Sequence, residues 1–122
     1  MLTLSSKQKY FLYYGKADFR KGFNGLSGIV CNLMKLDPTS GDIYVFINDR
    51  RNQIKLLLFE LDGFSIYHKK LAKGTFEMPR YDAATGSASI SEEQLSLILK
   101  GIVLESVRKR KRYHFERTLD SK

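Results

Sequence analysis

The stretch Asp42-Ile43-Tyr44-Val45-Phe46-Ile47-Asn48-Asp49-Arg50-Arg51-Asn52-Gln53-Ile54-Lys55-Leu56-Leu57-Leu58-Phe59-Glu60-Leu61-Asp62-Gly63 decides the fold class of this chain. Two runs rich in branched and aromatic residues, Ile43 to Asn48 and Gln53 to Glu60, flank a polar loop. Such side chains lose rotamer freedom in a helix and pack well on a pleated surface, so both runs predict strands. Asp62-Gly63 marks a two-residue hairpin turn, because a type I′ turn needs positive φ at both central residues. Phe64 to Leu71 and Thr75 to Met78 complete an expected antiparallel four-stranded meander. Alternation puts Ile43, Val45 and Ile47 on one face and Tyr44, Phe46 and Asn48 on the other.

Working outward, Tyr10 to Tyr14 is a short apolar run that predicts another strand, and Gly15 breaks it. Asp18 is placed to cap a helix running to about Lys35, with Phe19, Phe23, Leu26, Val30 and Leu33 on one side at helical spacing. Arg20, Lys21, Asn24 and Lys35 fall on its other side. Asp37, Pro38, Ser40 and Gly41 then form a turn before the first long strand. Beyond the meander, Tyr81 to Ser89 is small and polar and reads as a connection. Ser91 and Gln94 form a capping box, with Ile90 and Leu95 as its hydrophobic staple, so a second helix spans 91 to 101 with Leu95, Ile98, Leu99 and Ile102 as its stripe; Gly101 is a place for it to end, and Ile102 to Val107 read either as its continuation or as a last strand. The expectation is an α+β domain over residues 1–107, a meander packed against two helices, followed by a basic C-terminal segment over 108–122.

The chain has 122 residues, 43% of them hydrophobic, enough for one core that folds alone or as a small homo-oligomer. Twenty-one Lys and Arg against 13 Asp and Glu leave a formal charge of +8, which favours polyanionic partners, nucleic acid ahead of an anionic membrane surface. Cys31 is the only cysteine, which excludes an internal disulfide or thiolate zinc cage and fits a reducing cytoplasm. No uncharged apolar run reaches membrane-spanning length, so no membrane partner is expected.

Four groups of cations are candidate nucleic-acid contacts. Arg108, Lys109, Arg110, Lys111 and Arg112 form the densest run of charge, which repels itself unless phosphates neutralise it. Arg50 and Arg51 sit in the first hairpin loop. Arg20 and Lys21 lie at the start of the first helix, where Gly22, Gly25 and Gly28 each weaken the helix by about 0.8–1 kcal/mol relative to Ala and leave bare backbone open to close approach. Lys55 shares a side with Leu57 and Phe59, and Lys69 shares one with Tyr67, so an aromatic and basic sheet face resembling a single-strand platform is one reading; the other is that the second helix covers that face.

Catalytic patterns are absent from the sequence. His68 and His114 have no Cys or His at metal-ligand spacing, and Asp37, Asp42, Asp49 and Asp62 fall at turns rather than converging as a two-metal nuclease requires. No serine stands in a Gly-x-Ser-x-Gly elbow, and no phosphate-binding glycine motif occurs. No cofactor or metal is expected.

Two stretches carry a more specific signal: Asp18-Phe19-Arg20-Lys21-Gly22-Phe23-Asn24-Gly25-Leu26, then Asp37-Pro38 through Ser40-Gly41 into Tyr44-Val45-Phe46-Ile47-Asn48. With Lys55-Leu56-Leu57, Asp62-Gly63-Phe64, Tyr67, Lys69-Lys70-Leu71, Gly74, Phe76 and Pro79, they closely resemble the TnpB accessory protein family of insertion-sequence-sixty-six-type transposons over about residues 10 to 102. Phe19, Asn24 and Phe59 stand where that family usually has Met, Asp and often Trp. The resemblance implies a protein that acts with a separate, larger transposase, the transposase holding the catalytic carboxylates. Function is then expected to be non-catalytic assistance at transposon ends through DNA binding. The alternative is an adaptor that binds the transposase by the Arg20 to Gly25 helix face, with only nonspecific contact to nucleic acid.

Overall fold

The computed structural model describes residues 4–5, 7–80 and 89–100. The elements run β1 (Tyr10–Leu12), α1 (Phe23–Asn32), β2 (Ile43–Ile47), β3 (Gln53–Glu60), β4 (Gly63–Lys70), β5 (Ser89–Ile90) and α2 (Glu92–Leu99). The class is α+β, but the sheet is five-stranded and mixed, in the order β4-β3-β2-β1-β5. Of the expected meander, β2, β3 and β4 pair antiparallel in sequence. The fourth expected strand, Thr75 to Met78, does not join the sheet. Phe76 is instead buried, with its amide donating to the Arg51 carbonyl, which seals the end of the β2–β3 hairpin.

The sheet is extended on its other side. β1 lies parallel to β2, Tyr10 opposite Ile43 and Leu12 opposite Val45. A parallel neighbour requires a crossover, and α1 supplies it between the two strands. β5 pairs antiparallel with β1 at the end of the segment expected to be a connection. A strand of two residues is too short to leave a periodic signature.

Every residue of β2 is buried, which means that both faces of the sheet are covered at its centre, whereas β4 at the edge has no buried residue. Tyr10, Leu12, Ile43, Val45, Ile47, Ile54 and Leu56 form one core with Phe76, Leu95 and Ile98 of the α2 side. Tyr44, Phe46 and Leu57 form the other with Ala17, Leu26, Ile29 and Val30 of the α1 side. The face bearing Lys55 and Leu57 is therefore covered by the first helix, not the second. It is no single-strand platform: Tyr67 and Lys69, which pair with Leu56 and Ile54, stand on the opposite face from Lys55.

The two helices begin in different ways. Ser91 caps α2 as expected: its Oγ accepts the Gln94 amide at 3.0 Å, while Gln94 Oε1 accepts the Ser91 amide at 2.9 Å. α1 starts later than expected and has no side-chain cap; its N-cap is Gly22. Asp18 does not cap it, because its carboxylate folds onto Arg20, accepting the backbone amide at 2.9 Å and the guanidinium at 2.7 Å. Only Leu26, Ile29 and Val30 of α1 are buried; Phe23 and Leu33, expected on the buried side, are 49% and 62% exposed. The β3–β4 turn is centred one residue earlier than expected, on Leu61 and Asp62, since Glu60 pairs with Gly63. Leu61 takes the positive φ of 55°.

A candidate basic interface at one end of the sheet

Three chain segments that are far apart in sequence meet at the end of the sheet where β2 turns into β3. The first is the crossing from Lys16 to Lys21 between β1 and α1. Its position is fixed from inside by Lys55, which is 7% exposed. The Lys55 ammonium donates to the carbonyls of Phe19 and Lys21, each at 2.9 Å, and lies 5.2 Å from the centre of the Phe19 ring. A buried ammonium is costly unless its donors are satisfied, and the two carbonyls together with the ring's negative face meet that need. Lys55, expected as a phosphate contact, is thus committed to holding the crossing in place. Sequence reasoning misses this role, because alternation assigns the side chain to a face without showing what lies over it.

The second segment is the loop Asn48 to Asn52. Asn48 organises it: its carbonyl accepts the Arg51 amide at 2.9 Å, its Oδ1 accepts the Gln53 amide at 2.9 Å, and its Nδ2 donates to Asn52 Oδ1 at 2.7 Å. Arg50 and Arg51 project from this loop and are exposed, Arg51 at a positive φ of 59°. Lys16 reaches the loop, its ammonium 3.9 Å from Asp49.

The third segment is the end of β4 together with Leu71 to Lys73. Lys70 pairs with Gln53 and Lys69 with Ile54, and the Leu71 amide donates to the Asn52 carbonyl at 2.8 Å. Lys70 and Lys73 are exposed and Lys69 is half-buried. His68 pairs with Lys55, bonds Gln53 Oε1 at 2.8 Å and meets Phe19 edge-on. Partial burial, and then the Lys55 charge, hold its imidazole below the ordinary value of 6.5.

Lys16, Arg20, Lys21, Arg50, Arg51, Lys69, Lys70 and Lys73 therefore gather at one end, against Asp18, Asp49 and Glu77. Arg20 is tied to Asp18, whose carboxyl it holds well below the usual range, first through the side-chain hydrogen bond. The other end carries Asp37, Asp42, Glu60 and Asp62 with Lys7, Lys9 and Lys35, so among the described residues these charges are polarised along the strands. The α1 N-terminus lies at the basic end, and its first turn contains no acidic residue. Its partial positive charge adds to the field there.

Gly25 and Gly28 differ in what they admit. A Cβ at Gly25 would sit 2.7 Å from Lys21 Cβ, so that glycine makes room for the Lys21 stem rather than for a partner. Nothing lies within 4 Å of the corresponding position at Gly28. The run from Arg108 to Arg112 is outside the described residues. Among the described residues, no group of three or more His, Cys, Asp or Glu side chains gathers in a way that could hold a metal. No helix among them is long and apolar enough to cross a membrane.

The family model described as IS66 Orf2 like protein matches residues 8–109. The chain belongs to this family. It is 31% identical over 102 residues to a Sinorhizobium fredii (strain NBRC 101917 / NGR234) protein titled "Uncharacterized protein y4hO", covering 84% of this chain and 87% of that one. A second protein of the same organism, "Uncharacterized protein y4jC", is 33% identical over 85 residues, covering 70% of this chain and 71% of its own. No solved structure matches. Membership of the IS66 Orf2-like family associates the chain with transposition, in an accessory part. The family match includes all three segments of the basic end.

Proposed function

We propose that this IS66 Orf2-like protein is a non-catalytic, DNA-binding accessory of transposition that helps a separate transposase engage transposon ends in the bacterial cytoplasm. The observation that carries the reading is the convergence of cations from three separate segments on one end of the sheet. Like charges repel when gathered, and a polyanion relieves that cost. Arg50 and Arg51 contact phosphates from the hairpin tip, Arg20 and Lys21 from the crossing, and Lys69 from the end of β4. Arg108, Lys109, Arg110, Lys111 and Arg112 supply a further, nonspecific attraction. The face bearing Lys55 and Leu57 lies beneath α1 and the crossing, and the gathered groups are cations rather than aromatic rings, so contacts run to the phosphate backbone rather than to bases.

The test is binding to transposon-end and scrambled duplexes across a salt series. Replacing Arg50 and Arg51 by Ala weakens both duplexes equally and shallows the plot of log affinity against log salt by about 0.9 for each phosphate left without its cation. The same holds for replacement of residues 108–112, with melting temperature as the folding control. An unchanged slope in folded variants at both places overturns the reading. A second reading rests on Phe23, 49% exposed beside Lys21 at the α1 start, as the anchor of a transposase-binding surface. Loss of transposase capture in Phe23→Ala, in nuclease-treated extract and with DNA affinity intact, would favour that adaptor role.

A further inference from the structure

The outer edge of β4 is built for pairing. Among the described residues β4 has a neighbour on one side only, β3. Proteins blunt such edges with charges, prolines, bulges or short strands. The opposite edge, β5, is two residues long. β4 is eight residues long, its register with β3 runs without a bulge, and Phe64 to His68 contains neither a formally charged residue nor a proline. Its charges lie beyond the middle and differ in sign: Glu60 and Asp62 before it, Lys69, Lys70 and Lys73 after it.

The direction of its free backbone groups is set by the ladder. In an antiparallel pair, alternate residues bond to the partner strand and the others turn their amides and carbonyls away. The two-residue loop closes on Glu60 and Gly63, and the Leu71 amide, eight positions on, donates inward to Asn52. Counting in twos, Ser65, Tyr67 and Lys69 face β3, while Phe64, Ile66, His68 and Lys70 face outward.

We infer that β4 pairs antiparallel with β4 of a second copy, Ile66 opposite Ile66, joining two five-stranded sheets into one. In this register outward-facing groups meet outward-facing groups, Tyr67 stands opposite Ser65, and Lys70 opposite Asp62. Parallel pairing would set like charge against like at both ends, so charge selects the antiparallel arrangement. The pairing uses no residue of the hairpin tip or of the crossing, and it leaves the two basic ends pointing in opposite directions.

Sedimentation of the full chain over a concentration series tests this. The wild-type chain reaches the mass of two copies as concentration rises. Asp62→Lys, which places Lys70 against a lysine twice per dimer, weakens dimerisation by about tenfold or more, and Asp62→Lys with Lys70→Asp restores it. An independent check uses Ile66→Cys in a Cys31→Ser background. Facing residues of a hydrogen-bonded antiparallel pair lie about 5.5 Å apart at Cα, within disulfide reach, so mild oxidation cross-links two chains. A wild-type chain that stays monomeric throughout, a dimer unaffected by Asp62→Lys, or failure of Ile66→Cys to cross-link a folded dimer would each overturn the inference. The first of those outcomes also covers the case in which another segment of the same chain occupies the edge.

Discussion

The two faces of the sheet are held by different physical means. On the α2 face the packing is apolar, and the helix carries its own start signal, a capping box between Ser91 and Gln94. On the α1 face the helix has a glycine N-cap and no side-chain cap, and the chain entering it is held by a buried ammonium reaching up from β3. The first arrangement is local and lies within four residues of sequence. The second joins residues separated by more than thirty positions. The basic end is thus positioned by a tertiary contact, and the cation making this contact is spent on structure rather than on a ligand.

The largest effects lie in the two cores. Leu57→Ala on the α1 face and Leu95→Ala on the α2 face, both fully buried, each cost about 2–5 kcal/mol of unfolding free energy in a urea titration. A Leu57 loss far below the Leu95 loss would mean that the α1 face is not closely packed. Next in size, Lys55→Met leaves the Phe19 and Lys21 carbonyls without their donor and costs about 1–3 kcal/mol. Hydrogen exchange separates this from general destabilisation. The Lys21 amide, bonded to Asp18, and the Leu26 amide, bonded to Gly22, exchange faster, while the Leu95 amide, bonded to Ser91, keeps its relative protection. Equal acceleration at all three would show that Lys55 does not act locally.

Smaller effects distinguish the two helix starts. Ser91→Ala costs about 1 kcal/mol through loss of the cap, whereas Asp18→Ala, at a residue turned toward Arg20, costs less than Ser91→Ala in the same assay. The smallest effect is the titration of His68. Its folded value lies below that of the unfolded chain, so the unfolded chain binds more protons between the two. The His68 contribution is accordingly complete above about pH 6.5 and diminishes as pH falls through that value toward the folded one. Lys55→Met removes the nearby like charge and raises the His68 midpoint, read from the imidazole resonances; an unchanged midpoint would separate His68 from Lys55.

Much of this architecture is legible in the residues themselves. The strands Ile43–Ile47, Gln53–Glu60 and Gly63–Lys70 follow from their branched and aromatic composition, and the capping box of α2 is written in Ser91 and Gln94. The family is legible too, because its motifs are spaced along the chain in a fixed order. The polar residues around Arg50 and Arg51 place them in an exposed loop, and the loop is where they stand.

Whatever depends on elements distant in sequence was settled in three dimensions. Side-chain alternation shows which residues of a strand share a face but not which helix covers it, so the position of α1 over Lys55 and the opposite placement of Tyr67 and Lys69 could not be read from spacing. Asp18 has the chemistry of a cap, yet a neighbouring guanidinium competes for its oxygens and wins by proximity. β1 and β5 are too short to declare their partners, and the parallel pairing of β1 with β2 exists only because α1 returns the chain across the sheet. Local composition and spacing were enough for the α+β class, the antiparallel core of the sheet, the start of α2 and an excess of positive charge. The fold gathered the cations of three described segments at one end and withdrew Lys55 from them, since burial and long-range hydrogen bonds arise only when the strands and the crossing meet in space.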